Sequence, residues 1–173
     1  LDRIKCFPPI VDEKSRIIVL GSMPGRESLR KNEYYGHPRN QFWNIIYSLF
    51  DREPDEEYEK KVAFLREKGI ALWDVIKSCR REGSMDANIT CEEVNDFDWL
   101  FGRYPGIRHV FFNGSKAYDT FRKRVGFKYD GIGYTKLGST SPANVKPFEN
   151  RLEEWGIIKK YISNIQRYAR NSQ

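Results

Sequence analysis

Four short runs rich in apolar residues punctuate this chain: Arg16-Ile17-Ile18-Val19-Leu20, Gly69 to Asp74, Ile107 to Phe112 and Ile132 to Leu137. Runs this short, without polar alternation, fit strands buried on both faces better than helices. Between them the spacing turns helical. Phe42, Ile45, Ile46 and Leu49 fall at i, i+3, i+4 and i+7, which predicts a helix over Arg39 to Phe50. Tyr58, Val62 and Leu65 share one face of a second helix that stops at Gly69. Further helices are expected over Cys91 to Tyr104, over the basic stretch Ser115 to Val125, and from Pro147 to about Arg170. Lys77 to Asn88 reads as a polar loop. Strand–helix alternation of this kind predicts an α/β fold: a three-layer α/β/α arrangement around a central, mainly parallel four-stranded sheet. The 173 residues show no break in composition, so one domain over 1–173 is expected.

In such sheets ligands bind beyond the carboxyl ends of the strands. The loops after Leu20, Trp73, Phe112 and Leu137 should therefore lie together, and they hold the chain's unusual residues. Gly21-Ser22-Met23-Pro24-Gly25 is either a tight turn or a loop whose free amides meet ligand oxygens. Tyr34-Tyr35-Gly36-His37-Pro38-Arg39-Asn40-Gln41-Phe42-Trp43 sets two tyrosines before a run of polar groups in the first turn of a helix. Such tyrosines either pack on the core or stack on a base, and Asn40 either caps its helix or faces the loop. Asp74 ends the second strand, and Asn113-Gly114-Ser115 opens a helix. Ser139-Thr140-Ser141-Pro142-Ala143-Asn144 is small and polar enough for a phosphodiester backbone to come close.

Composition narrows the class. No stretch approaches the roughly 20 apolar residues of a membrane helix. Leu1 to Pro9 carries Asp2, Arg3 and Lys5 and lacks the apolar centre of a signal peptide. Three widely spaced cysteines and two histidines match neither a disulfide framework nor a zinc site. An intracellular, cytoplasmic protein without metal or cofactor is expected, with no membrane partner. Thirty Lys and Arg against 24 Asp and Glu give a net charge of +6, which suits a polyanion. The acidic stretch 51–60 has to face away from any such partner.

In order and spacing, these loops resemble the uracil-DNA glycosylase superfamily over nearly the whole chain. Gly21 to Gly25 is similar to its first motif. Tyr35 and His37 to Trp43 resemble the following segment of the mismatch-specific uracil/thymine glycosylases. Gly69 to Val75 resembles the strand that ends in the base-reading Asn. Asn113-Gly114-Ser115-Lys116-Ala117-Tyr118 is similar to a shared turn, and Ser139 to Asn144 to the His-Pro-Ser-Pro loop. The Ser-Met-Pro-Gly, His-Pro-Arg-Asn and Ser-Thr-Ser-Pro-Ala-Asn forms are similar to those of the hypoxanthine-DNA glycosylase branch. Four positions depart from the superfamily pattern. Met23 stands for the water-positioning Asn or Asp, Asp74 for the base-reading Asn, Ser139 for the leaving-group His, and Ala143 for a bulky wedge.

The resemblance implies a metal-free, monofunctional DNA repair glycosylase that flips a deaminated base out of DNA and hydrolyses its N-glycosidic bond. It implies that Asn40 holds the attacking water, because a thioether at Met23 cannot. Tyr35 stacks on the base, and the Ser22 and Met23 amides, beside Gly21 and Pro24, meet a base oxygen. Asp74 accepts the ring N–H, and Ser139, Thr140, Ser141, Pro142, Ala143 and Asn144 grip DNA. His37 either assists the leaving group or only makes a structural hydrogen bond; Asn113 either touches the base or only closes its turn. The partner expected is DNA containing deaminated bases, bound by a monomer. A free nucleoside hydrolase and a non-catalytic nucleic-acid binding domain are the alternatives.

Overall fold

The computed structural model describes all 173 residues. The chain runs β1 (Arg3–Lys5), β2 (Ile17–Gly21), α1 (Arg26–Lys31), α2 (Phe42–Ser48), α3 (Tyr58–Glu67), β3 (Ile70–Asp74), β4 (Ile76–Arg80), β5 (Thr90–Val94), α4 (Phe97–Arg103), β6 (His109–Asn113), α5 (Ser115–Arg124), β7 (Gly133–Leu137), α6 (Phe148–Trp155) and α7 (Ile157–Asn171). The expected sheet forms from β2, β3, β6 and β7, all parallel, in the order β3-β2-β6-β7.

Side chains alternate across this sheet with period two. Ile17 and Val19 of β2, Leu72 of β3 and Phe111 of β6 point to a core shared with α2, α3, α6 and α7. Ile18 and Leu20, with Ala71, Trp73, Val110 and Phe112, point to a second core closed by α4 and α5. Both faces are thus covered by helices, which is why these strands read as unbroken apolar runs. β2 lies at the switch in strand order, with β3 on one side and β6 on the other, so a crevice opens at its carboxyl end.

Four expectations need correction. Lys77 to Asn88 is not all loop: β4 begins two residues after β3 and pairs antiparallel with β1 and β5 in a second, three-stranded sheet. Cys91 to Tyr104 is not one helix, because Thr90–Val94 forms the outer strand of that sheet. The Asp96 side chain then accepts from Trp99 N–H at 2.9 Å and starts α4 afresh. The helix expected from Pro147 to about Arg170 breaks at Gly156, whose N–H bonds back to the Glu153 carbonyl at 3.2 Å. The helix expected from Arg39 starts later, at Phe42, which leaves Asn40 outside it.

α2 starts at the crevice and runs away from it, so the acidic stretch that follows lies at its far end. There Asp51 pairs with Lys159 of α7 at 3.7 Å. At the crevice end, α6 grips the segment after β7. Trp155 Nε1 donates to the Gly138 carbonyl at 3.1 Å, and Gly138 N–H donates to Glu154 Oε1 at 3.0 Å. A Cβ at Gly138 would collide with the guanidinium of Arg151, which is fully buried and has no room to move. Gly138→Ala should therefore lower stability by about 1–3 kcal/mol, read as a shift in the urea midpoint at unchanged slope.

Candidate active site

Strand register decides what meets at the crevice. Gly21, the last residue of β2, lies directly opposite Asp74, the last residue of β3. A Cβ at Gly21 would sit 2.6 Å from Asp74 Oδ1 and 3.1 Å from Tyr35 Oη. The missing side chain is what lets a carboxyl group, a phenol hydroxyl and a backbone turn share one point.

Asp74 is 4% exposed, and its Oδ2 is buried without a hydrogen-bond partner. Burial pushes its carboxyl up to about 7; nearby Asp86 adds to the rise and Arg81 opposes it. Tyr35 adopts the left-handed backbone conformation, with φ of 54°. Its ring stacks on Phe42 with centroids 4.0 Å apart, so Phe42 takes one of its two faces. The residue as a whole stays partly exposed, while its hydroxyl is buried without a partner. Burial, and then the charge of Asp74, push that hydroxyl far above its ordinary ionisation range, so it stays protonated.

The loop after β2 presents backbone. Neither the Ser22 nor the Met23 N–H donates to any protein acceptor. The Met23 side chain turns away into a small core with Ile76, Cys79 and Ile89. The Pro24 carbonyl accepts from Arg81 Nη2 at 2.5 Å, Ser22 Oγ donates to Asp86 Oδ1 at 2.7 Å, and Arg26 N–H donates to Ser84 Oγ at 2.9 Å. The turn between β4 and β5 therefore props this loop from outside. Sequence reasoning missed that role for Arg81 and Asp86. The one available signal was a pair of adjacent arginines, which reads equally well as solvated charge.

Asn40 lies two residues before α2. Its Oδ1 accepts from Phe42 N–H at 3.0 Å, so it does secure the helix start, and its Nδ2 donates to no protein group. The next residue reaches the fourth loop, with Gln41 N–H donating to the Thr140 carbonyl at 3.1 Å. Asn113 meets the same residue from β6: its Nδ2 donates to Thr140 Oγ1 and its Oδ1 accepts from Thr140 N–H, both at 2.9 Å. Both ends of the Asn113 amide are thus engaged in joining two loops. His37 Nδ1 accepts from Arg39 N–H at 3.1 Å, a local bond within its own turn.

The Ser139 to Asn144 loop is more self-contained than its small polar residues suggest. The N–H groups of Thr140, Ser141, Ala143 and Asn144 all donate within the protein. Pro142 has none. Ser139 Oγ and Ser141 Oγ act as acceptors in these bonds, which leaves their protons free. The donors this loop offers to an anion are therefore chiefly hydroxyls. Arg151, fully buried beneath it, donates through Nη2 to the Asn144 carbonyl at 3.2 Å.

No group of three or more His, Cys, Asp or Glu side chains converges to hold a metal ion. No helix is long and apolar enough to cross a membrane. A groove of about 340 Å³ lined by Phe101, Ile107, Arg108 and Tyr129 opens at the amino ends of β6 and β7, the opposite edge from the crevice.

Comparison with known proteins agrees with this geometry. The family model described as the uracil DNA glycosylase superfamily matches residues 8–162. A hypoxanthine DNA glycosylase from Methanosarcina acetivorans is 40% identical over 159 residues, which cover 90% of this chain and 97% of the relative. One from Methanosarcina barkeri is 38% identical, covering 86% of this chain and 93% of the relative. A solution NMR structure of a candidate uracil DNA glycosylase from M. acetivorans superposes with a TM-score of 0.81 at 38% identity, covering 94% of this chain and 99% of that one. A match that begins ahead of β2, the first strand of the central sheet, and continues into α7 takes in all four crevice loops, and the chain belongs to the uracil DNA glycosylase superfamily.

Proposed function

We propose that this protein is a hypoxanthine DNA glycosylase, with uracil as a second substrate. It turns the deaminated base out of DNA and hydrolyses the bond between the base and deoxyribose C1′, leaving an abasic site. The observation that carries this reading is the pairing at the crevice of a partnerless carboxyl group with two free amides. Hypoxanthine and uracil both present a ring N–H beside a carbonyl. Asp74 accepts the N–H, and the Ser22 and Met23 amides donate to the carbonyl oxygen. Adenine and cytosine lack that edge. The names of the two Methanosarcina relatives point to the same base.

The chemistry follows from charge. The C1′–N bond breaks with its electron pair leaving on the base, and the negative charge spreads onto the base carbonyl, where the two amides oppose it. Water adds its oxygen to C1′ and releases a proton. Asn40 holds that water through Nδ2, a reading supported by the absence of any protein acceptor for that group. Tyr35 offers its free face to the base, and the Ser139 and Ser141 hydroxyls hold phosphate oxygens. Flipping costs a few kcal/mol, least for a mispaired base. The excess of basic residues adds salt-sensitive affinity for DNA. A DNA substrate supports an intracellular place.

The direct test is a panel of oligonucleotides carrying hypoxanthine, uracil, xanthine or mismatched thymine, single- and double-stranded, read by alkaline cleavage at abasic sites. Hypoxanthine release is expected to be fastest. Release from free deoxyinosine alone, or DNA binding without base release, overturns the proposal. Asn40→Ala should slow single-turnover excision at least 100-fold. It should also cost about 1 kcal/mol of stability through the lost bond to Phe42 N–H, so activity falls far more than folding. Gly21→Ala should slow excision at least tenfold while leaving DNA affinity within about twofold, because the new methyl displaces Asp74 and Tyr35 but not the phosphate-facing loop.

A further inference from the structure

Asp74 is an unusual group to bury. Its Oδ2 has no hydrogen-bond partner, and no Lys, Arg or His lies within ion-pair distance. Arg81, the cation whose charge reaches Asp74, donates through Nε and Nη2 to the Gly83 and Pro24 carbonyls, and its Nη1 is buried without a partner, bonded neither to Asp74 nor to any other group. An ionised carboxylate in such a place lacks every kind of compensation that buried charges ordinarily have. The surrounding groups do not supply it. Asp86 and Arg81 face Asp74 from the β4–β5 turn, Tyr34 and Tyr35 from the segment before α2, and Cys6 from the chain start. Only Arg81 is cationic. Asp86 is anionic and exposed, and both tyrosines and the cysteine are held neutral by burial.

We infer that Asp74 reads the flipped base as a neutral carboxylic acid: its carbonyl oxygen accepts the ring N–H while its own O–H donates to the adjacent base carbonyl. This rests on the reading of Asp74 as the base-contacting residue. A neutral acid and a lactam edge form a closed pair of two hydrogen bonds, with donor and acceptor matched on both sides. A carboxylate can supply only the acceptor. The neutral form also places no negative charge beside a base that becomes anionic as its bond to C1′ breaks. The O–H adds a third donor to the two free amides at that oxygen. The elevation of the Asp74 carboxyl to about 7 is in keeping with this assignment. Ionisation of Asp74 in alkali then removes a donor and adds a repulsion in one step.

The test uses the whole protein and a hypoxanthine-containing duplex oligonucleotide. The second-order rate of excision is measured at subsaturating protein from pH 5.5 to 8.5, a regime that reports ionisation of the free protein. The expected profile is flat at low pH, bends near about 7 and then falls tenfold per pH unit. Asp74→Asn keeps a carbonyl and an N–H donor in the same places. It should retain excision within about tenfold of the low-pH rate and lose the bend. Asp86→Asn, at an exposed position, removes the neighbouring negative charge and should move the bend to lower pH. A carbon-13 NMR titration of the Asp74 carboxyl gives the same midpoint without activity. A rate that rises through neutral pH, or a bend that Asp74→Asn shares, overturns the inference. Asp74→Ala separates the two levels. Wild-type excision by a folded Asp74→Ala protein overturns the base-contact reading itself, whereas loss of excision with no bend in the wild type overturns only the neutral-acid form.

Discussion

The structure depends on one strand being inserted between two others. β2 is buried along its whole length, paired in register with β3 on one side and β6 on the other. Its side chains divide between two cores, so neither layer of helices can shift without disturbing the other. Because the four strands run parallel, all of them end at the same edge, and the register sets Gly21 beside Asp74. The chemistry at that edge follows from hydrophobic packing one layer below it. Interiors packed to crystal-like density transmit small displacements rather than absorbing them.

Against this packing stands a local sacrifice. Between about pH 4 and 7, each pH unit costs roughly 1.4 kcal/mol at a buried acid whose ionisation is pushed upward, because the unfolded chain ionises first. The sign runs opposite to a salt-bridged carboxylate: stability is lost as pH rises towards 7. Tyr35 adds a left-handed backbone and a hydroxyl without a partner. Such clusters of unfavourable features persist where the surrounding fold over-determines them, and they mark sites that wait for a ligand.

The central sheet was legible because burial on both faces leaves an unmistakable mark: Ile17 to Leu20 can be little else. The second sheet was not. Ile76 to Arg80 buries three side chains but exposes Lys77 and Arg80, and Thr90 to Val94 is an edge whose Glu92 is held by Lys116 at 3.0 Å. Strands that carry charge and owe their place to neighbours leave no local period. Among the candidate site residues, Gly21, Asp74 and Asn40 announce themselves as small or polar groups at strand and helix ends. Arg81 and Arg151 do not, because an arginine that reaches inward to backbone carbonyls has the same letter as one in water. The inward choice is made by tertiary contacts. The amides of the fourth loop belong to the same class, since their engagement with Asn113 and the serines depends on which segments meet.

That engagement has a thermodynamic corollary. A loop of six small residues would ordinarily sample many shapes, and capturing a strand of DNA would require freezing them. Here four N–H groups, two serine hydroxyls, the Asn113 amide and the guanidinium beneath have already done the freezing during folding. The ordering entropy is charged to the protein's own stability rather than to the encounter. An enzyme that must sample a great length of undamaged duplex gains from this arrangement. If this loop meets DNA as proposed, nothing in it has to be rearranged at each encounter.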